Sequence, residues 1–171
     1  YRKILHARRQ FLDMMFTACE KVSMPLHVFD RNSNRLSRFF EFRYPHKSPL
    51  HMHDKIPYTE TASVYKRYAA SLNVNSVTDS DTMCSRRLLE ILACGGILVT
   101  NSSPVVEKVF RQYCHVITSQ EQAQDLPQIR PFPGRQGQSR GRSRLCTQGA
   151  YLVVQTGTNG RCCNLLTWRK V

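Results

Sequence analysis

One short run constrains this chain more than any other: Gly95–Gly96 followed at once by ILVT (97–100). Three consecutive apolar residues closed by Thr100, behind a glycine stop, read as a strand buried on both faces, the kind found in parallel sheets. Its neighbours repeat the theme. SLNVNSV (71–77) reads as a strand, TDSDTM (78–83) as a polar turn and CSRRLLEILACGG (84–96) as a helix with Leu88, Leu89, Ile91 and Leu92 inside. PVVEKVF (104–110) is a helix opened by Pro at its first turn, CHVIT (114–118) a strand, and SQEQAQDL (119–126) a helix capped by Ser119. Alternating strand and helix with short connections demands a parallel sheet covered on both faces by helices. The expected fold class is therefore α/β, a Rossmann-like layer structure over residues 1–126.

Upstream the pattern is looser. Residues 8–22 place Phe11, Met14, Met15, Ala18 and Val22 at helical spacing, and PLHVFDR (25–31) reads as a short strand. Residues 32–57 are polar and broken by Pro45, Pro49 and Pro57, which predicts a long loop with short pieces of structure. TETASVYKRYAA (59–70) opens with a Thr cap and carries Val64, Tyr65, Tyr68 and Ala69 on one side of a helix.

Charge separates the tail from this body. The chain carries a net +13, of which residues 1–125 hold 17 Lys/Arg against 12 Asp/Glu and residues 126–171 hold 8 Lys/Arg and no acid. PQIRPFPGRQGQSRGRSRLCTQG (127–149) is rich in Pro, Gly, Arg, Ser and Gln, and 150–171 offers one apolar scrap, YLVV, without helical period. On composition this tail is expected to be irregular or disordered. Seven cysteines (19, 84, 94, 114, 146, 162 and 163) form no C-x-x-C pair, so zinc is not indicated. Cys19, Cys84, Cys94 and Cys114 lie in or beside apolar patterns as small hydrophobes, and a reducing, cytoplasmic setting is expected. No apolar run is long enough to span a membrane.

The polar turn between strand and helix carries the chemistry. Free N–H groups and the positive dipole end at a helix N-terminus favour an anion such as a phosphate. Ligands of doubly wound sheets bind at the carboxyl ends of the strands, where this turn lies. Glu90 sits about two turns into the helix among leucines. That placement is costly for a carboxylate without a partner. The partner is either a ribose with two hydroxyl donors or Arg86, four residues earlier.

The run from Tyr65, YKRYAASLNVNSVTDSDTMCSRRLLEILACGGILVTNSSPVVEKVF, resembles the nucleotide-sugar half of bacterial glycosyltransferases with the GT-B fold. The "glycosyl transferases group 1" domain shared with spore-maturation-type proteins is the nearest form. The cues are Tyr65–Lys66, Leu72–Asn73, the Arg86/Arg87-Leu-Leu-Glu90 helix, Ala93-Cys94-Gly95 and the strand ending in Thr100, with PLHVFDR and IPY before Thr59 in support. The resemblance covers about residues 8–126. It implies a nucleotide-diphosphate sugar as donor substrate, an acceptor of unknown identity, and no cofactor or metal. By position, Glu90 takes the ribose hydroxyls, and Ser80, Asp81, Thr82 and Met83 with the next helix turn approach the diphosphate. Arg86 or Arg87 supplies positive charge, and Lys66, Asn73 and Asn75 are weaker donor-binding candidates. Neutralising the pyrophosphate leaving group is the electrostatic work of a metal-independent transferase. No catalytic residue is assigned.

Two departures accompany the resemblance. Thr82 stands where many relatives of the wider fold carry a Glu, eight positions before Glu90, which puts direct sugar contact there in doubt. The acceptor-binding N-terminal domain and the first strand of the donor domain are expected to be missing ahead of Tyr1, so the chain alone is expected to be inactive. For the tail, codons allowed for Gly149–Cys163 read one base later spell EHTWSYRLEQMAAA, a helix typical of donor domains, and a shifted frame is the expectation. Other readings remain. GRQGQSRGRSR is an Arg-rich arm that would attract a polyanion, making the chain a nucleic-acid-binding module; alternatively it is a non-catalytic, degraded gene product. His46, His51 and His53 offer an H-x-H pair for a metal without a carboxylate-rich shell. A lysine such as Lys66 is more often a surface residue than a phosphate contact.

Overall fold

Helix α1 (Arg2–Lys21) begins before the predicted 8–22 and buries a broader stripe, with Leu12, Phe16 and Cys19 joining Phe11, Met15 and Ala18. It ends in a reversal rather than a glycine stop. Met24 N–H donates to Cys19 O at 2.8 Å while Ser23 takes a φ of 52°, a left-handed conformation unusual for a residue with a Cβ. The computed structural model describes residues 2–29, 50–129 and 152–155.

The strands that follow form one parallel sheet. They are β1 (Leu26–Phe29), β2 (Leu50–His53), β3 (Ala70–Asn73), β4 (Leu98–Asn101), β5 (Cys114–Ile117) and β6 (Leu152–Gln155), in the order β2-β1-β6-β3-β4-β5. Every pairing is parallel. The Rossmann-like α/β expectation therefore holds. Within the segment expected to be a broken loop, β2 is one of the short pieces of structure; residues 30–49 lie outside the described ones.

The tail reading needs one correction. Leu152–Gln155, inside the stretch expected to be irregular, is a strand at the middle of the sheet, hydrogen-bonded to β1 on one side and β3 on the other. Its local sequence explains this: Leu-Val-Val has high strand propensity, which the Arg/Gly/Pro composition around it masks. The rest of the tail beyond Ile129 lies outside the described residues, and with it the shifted-frame helix.

Helices cover both faces. On one, α1 and α4 (Gln120–Gln124) pack with Leu26, Val28, Ala70, Leu72, Val99 and Ile117; on the other, Leu88 and Ile91 of α3 (Arg86–Ala93) pack with Tyr65, Leu98, Cys114 and Val116. Leu98 and Val99 thus serve opposite cores, as the two-residue period of a strand requires.

The helix expected at 59–70 is shorter. A 3-10 turn (Tyr58–Glu60) precedes α2 (Thr61–Arg67), and no side chain caps α2; Thr61 Oγ1 instead donates to Pro57 O at 3.4 Å. The chain extends at Tyr68 because β3 starts two residues later. In α3 the glycine stop behaves as read, Gly95 adopting a φ of 74°, and the helix is capped by Ser85, whose Oγ accepts from Arg87 N–H. Leu89, expected inside, is 48% exposed, because the inward arc of α3 is centred on Leu88 and Ile91. The helix of residues 104–110 widens into a π turn over Val106–Phe110 and tightens to 3-10 at Arg111–Tyr113. That places Val105 and Val106 inside and Val109 outside. Ser119 caps α4 by accepting from Gln122 N–H.

Candidate functional site

The carboxyl ends of β3 and β4 meet in a buried polar knot. Thr100 Oγ1 accepts from Asn73 Nδ2 at 3.0 Å and from Asn75 Nδ2 at 3.3 Å, and donates to Asn101 O at 3.3 Å, so this hydroxyl is fully used. Asn75 then ties three segments. Its N–H donates to Asn101 Oδ1 at 2.7 Å, its carbonyl accepts from Asn101 Nδ2, and its Oδ1 accepts from Asn73 Nδ2 and from Ser85 N–H at 3.1 Å. The loop 74–85 is thereby fixed to β4 at its start and to the N-terminus of α3 at its end. Asn73 Oδ1 and Ser103 Oγ are buried without a hydrogen-bond partner among the described residues.

The loop's outer bend is exposed and partly closed on itself. Ser80 Oγ accepts from Met83 N–H at 3.2 Å and from Thr82 N–H at 3.4 Å. Asp81 pairs with Lys108 Nζ at 2.7 Å, both side chains being largely in solvent, so the bend is moored to the helix after β4. The amides of Ser85, Arg87 and Leu88 are also taken up, by Asn75 Oδ1, Ser85 Oγ and Ser85 O.

The two arginines part company. Arg86 is exposed, its Nε donating to Glu90 Oε1 at 2.8 Å while its guanidinium lies 5.2 Å from the centre of the Tyr58 ring. Tyr58 OH also donates to Glu90 Oε1, at 3.1 Å. Arg87 turns inward and hydrogen-bonds Tyr65; burial draws its pKa below the usual range, with the Tyr65 interaction opposing. Burial pushes the Tyr65 phenol up to about 12. Of the weaker candidates, Asn73 and Asn75 belong to the knot, whereas Lys66 is exposed on the last turn of α2.

The structure thus joins Glu90 to Arg86 and Asn73 to Asn75, and sets the Ser80–Met83 bend beside Lys108. Three participants escaped the sequence reading: Tyr58, Asn101 and Lys108. Tyr58 stood in the IPY cue without a role, and Asn101 opens the polar NSS after β4; Lys108 carried no signal.

The other candidates resolve differently. His51 and His53 stack with His27 across β1 and β2, ring centroids 4.7 and 5.0 Å apart, and Nδ1 of His27 lies 2.7 Å from Nε2 of His53. Stacked rings do not converge their nitrogens on one point; among the described residues no group of three or more His, Cys, Asp or Glu is arranged to hold a metal ion. His46 lies outside the described residues, as does the Arg-rich arm at 130–144. Cys19, Cys84, Cys94 and Cys114 are free. Burial pushes Cys19 up to about 12 and Cys114 up to about 11, which leaves both as inert packing thiols. Among the described residues no helix is long and apolar enough to cross a membrane.

Residues 6–132, roughly three quarters of the chain, match the family model described as glycosyl transferase-like. The chain belongs to that family. No curated protein and no solved structure matches it.

Proposed function

We propose that this member of the glycosyl transferase-like family binds the nucleoside-diphosphate part of a sugar donor for transfer of the sugar to an acceptor. The ligand lies at the carboxyl edge of β3 and β4, between the loop 74–85 and Glu90. One observation carries the reading: the Asn75 ties hold the loop and the first turn of α3 at the carboxyl edge of β3 and β4, where ligands of such sheets sit, with the exposed Arg86 and the partly buried Glu90 on that helix.

Glu90 accepts the ribose hydroxyls. Both observed donors use Oε1, and a carboxylate offers about four lone-pair sites, so capacity remains for two hydroxyls. Arg86, free to swing from a solvated ion pair, meets the diphosphate; Arg87 holds α3 against Tyr65. The amides of Thr82 and Met83 reach the phosphates once Ser80 Oγ gives them up, and Asp81 stays on Lys108, which keeps its negative charge from the diphosphate. Neutralising the leaving pyrophosphate with Arg86 and backbone amides needs no metal.

Calorimetric titration of the chain with nucleoside diphosphates, with and without an attached sugar, tests this. Saturable 1:1 binding that needs the ribose hydroxyls and weakens with 2′-deoxy analogues is expected. Equal binding of deoxy and ribo ligands, or none at about millimolar concentration, overturns it.

A further inference from the structure

The sheet takes its central strand from a remote stretch of chain. β6 is parallel to both neighbours, with Leu26, Leu152 and Ala70 in one row and Val28, Val154 and Leu72 in another. Strands lie about 4.8 Å apart, so β1 and β3 are about 9.6 Å apart and cannot pair directly. Without β6, each would present an unpaired row of backbone N–H and C=O groups. These are among the most protected strands, Leu26, Val28, Leu72 and Asn73 being 0–2% exposed. Such an empty slot is a template for an extended segment.

The 22 residues 130–151 separate β6 from the last described residue before it, Ile129. Three strand spacings, about 14 Å, lie between β5 and β6, whereas 22 residues can reach about 70 Å. The connection therefore does not oblige β6 to enter its own sheet, and lengthening a closure loop adds little cost. It carries five arginines and no acid, whereas the facing strands β1 and β3 carry no ionisable side chain other than His27. Among the described residues of the tail, the uncharged Leu-Val-Val segment suits the slot.

We infer that Leu152–Gln155 is a detachable central strand, and that the slot between β1 and β3 accepts the same strand from a second copy of this chain. In such an exchange each copy donates β6 and receives its partner's, with every ladder hydrogen bond preserved. The acceptor surface is the row of backbone groups on β1 and β3; the ligand is an extended, uncharged, parallel segment.

The experiment uses the full chain. It is refolded over a range of concentrations and resolved by size-exclusion chromatography with light scattering, beside Val153→Pro, which removes one ladder donor from β6. A concentration-dependent dimer that persists on dilution, with the far-UV spectrum of the monomer, is expected for the wild type. A dimer formed equally by Val153→Pro overturns the inference, as does a wild type that stays monomeric at every concentration. A fluorescent peptide of residues 148–157 covers the case in which the variant fails to fold alone. It is expected to bind Val153→Pro at least tenfold more tightly than wild type and to restore its cooperative melt. Equal affinity for both overturns the assignment of the slot.

Discussion

Arg86 reaches one turn along α3 to set its Nε 2.8 Å from Glu90 Oε1, and Tyr58 OH approaches the same oxygen at 3.1 Å. An i,i+4 ion pair with an exposed guanidinium stabilises a helix by about 0.3–0.5 kcal/mol. Two donors converging on one oxygen also fix the carboxylate's orientation. Glu90→Gln is therefore expected to shift stability by less than about 0.5 kcal/mol in urea unfolding. It should weaken nucleoside-diphosphate binding about tenfold, the value of one charge-assisted hydrogen bond. A carboxylate serving the helix alone would leave affinity unchanged.

Thr100 makes a contrasting case, because its hydroxyl is the shared acceptor for two buried amides. Thr100→Val keeps the shape and takes the acceptor from Asn75 Nδ2, whereas Asn73 Nδ2 keeps Asn75 Oδ1. Leaving one buried donor without its acceptor costs about 1–3 kcal/mol, and a loss in that range is expected. Asn75 keeps its backbone ties to Asn101, which limits the damage to the loop. Thr100→Ser should recover most of the loss. Chemical denaturation measures both variants, and amide hydrogen exchange should show faster opening across 74–85 in Thr100→Val.

These two sites show what was legible beforehand. The β3–α3–β4–β5 order could be read because its elements have local signals: the apolar run Ile97–Val99, leucines at helical spacing, a pair of glycines at the stop. Glu90 and Arg86 were legible as a pair for the same reason, lying four residues apart. Tyr58 lies 32 residues from Glu90 and Lys108 lies 27 from Asp81, and no local pattern encodes such contacts. Leu89 was misplaced because helical spacing defines an apolar arc without fixing its centre. β6 was missed because composition averaged over the tail hides four residues, and its two partners lie far away in sequence.

Backbone geometry gives a pair of predictions of opposite sign. A Cβ on Gly96 would sit 3.0 Å from Ile91 Cγ2 and 3.2 Å from Ile91 O. Gly96 N–H also donates to Ile91 O at 2.9 Å, so helix end and glycine cannot separate without losing that bond. Gly96→Ala is expected to cost about 1–3 kcal/mol through overpacking beside a buried isoleucine. Ser23, at a φ of 52°, is the reverse case. Ser23→Gly removes the left-handed penalty and should raise stability by about 0.5–1 kcal/mol, offset in part by unfolded-chain entropy. Thermal melts of the two variants should move in opposite directions.

The histidine stack predicts how stability varies with pH. His27 on β1 is held to about 4 by burial first and by His51 and His53 next, and His53 is lowered by burial and by His51. Tyr68, whose OH lies 3.2 Å from His27 Nδ1, and Phe29, stacked on His53, face the cluster without a positive charge to relieve. In the unfolded chain these histidines titrate near 6.5, so between that value and about 4 the unfolded state binds more protons than the native state. Their contribution is complete above about 6.5 and is lost as pH falls towards 4. The urea midpoint should therefore drop steadily from pH 7.5 to 4.5, with β1–β2 pairing the first to weaken. His27→Leu removes the most depressed group, so its midpoint should fall less over the same interval. A variant whose pH dependence superimposes on that of the wild type would place the titration elsewhere in the molecule.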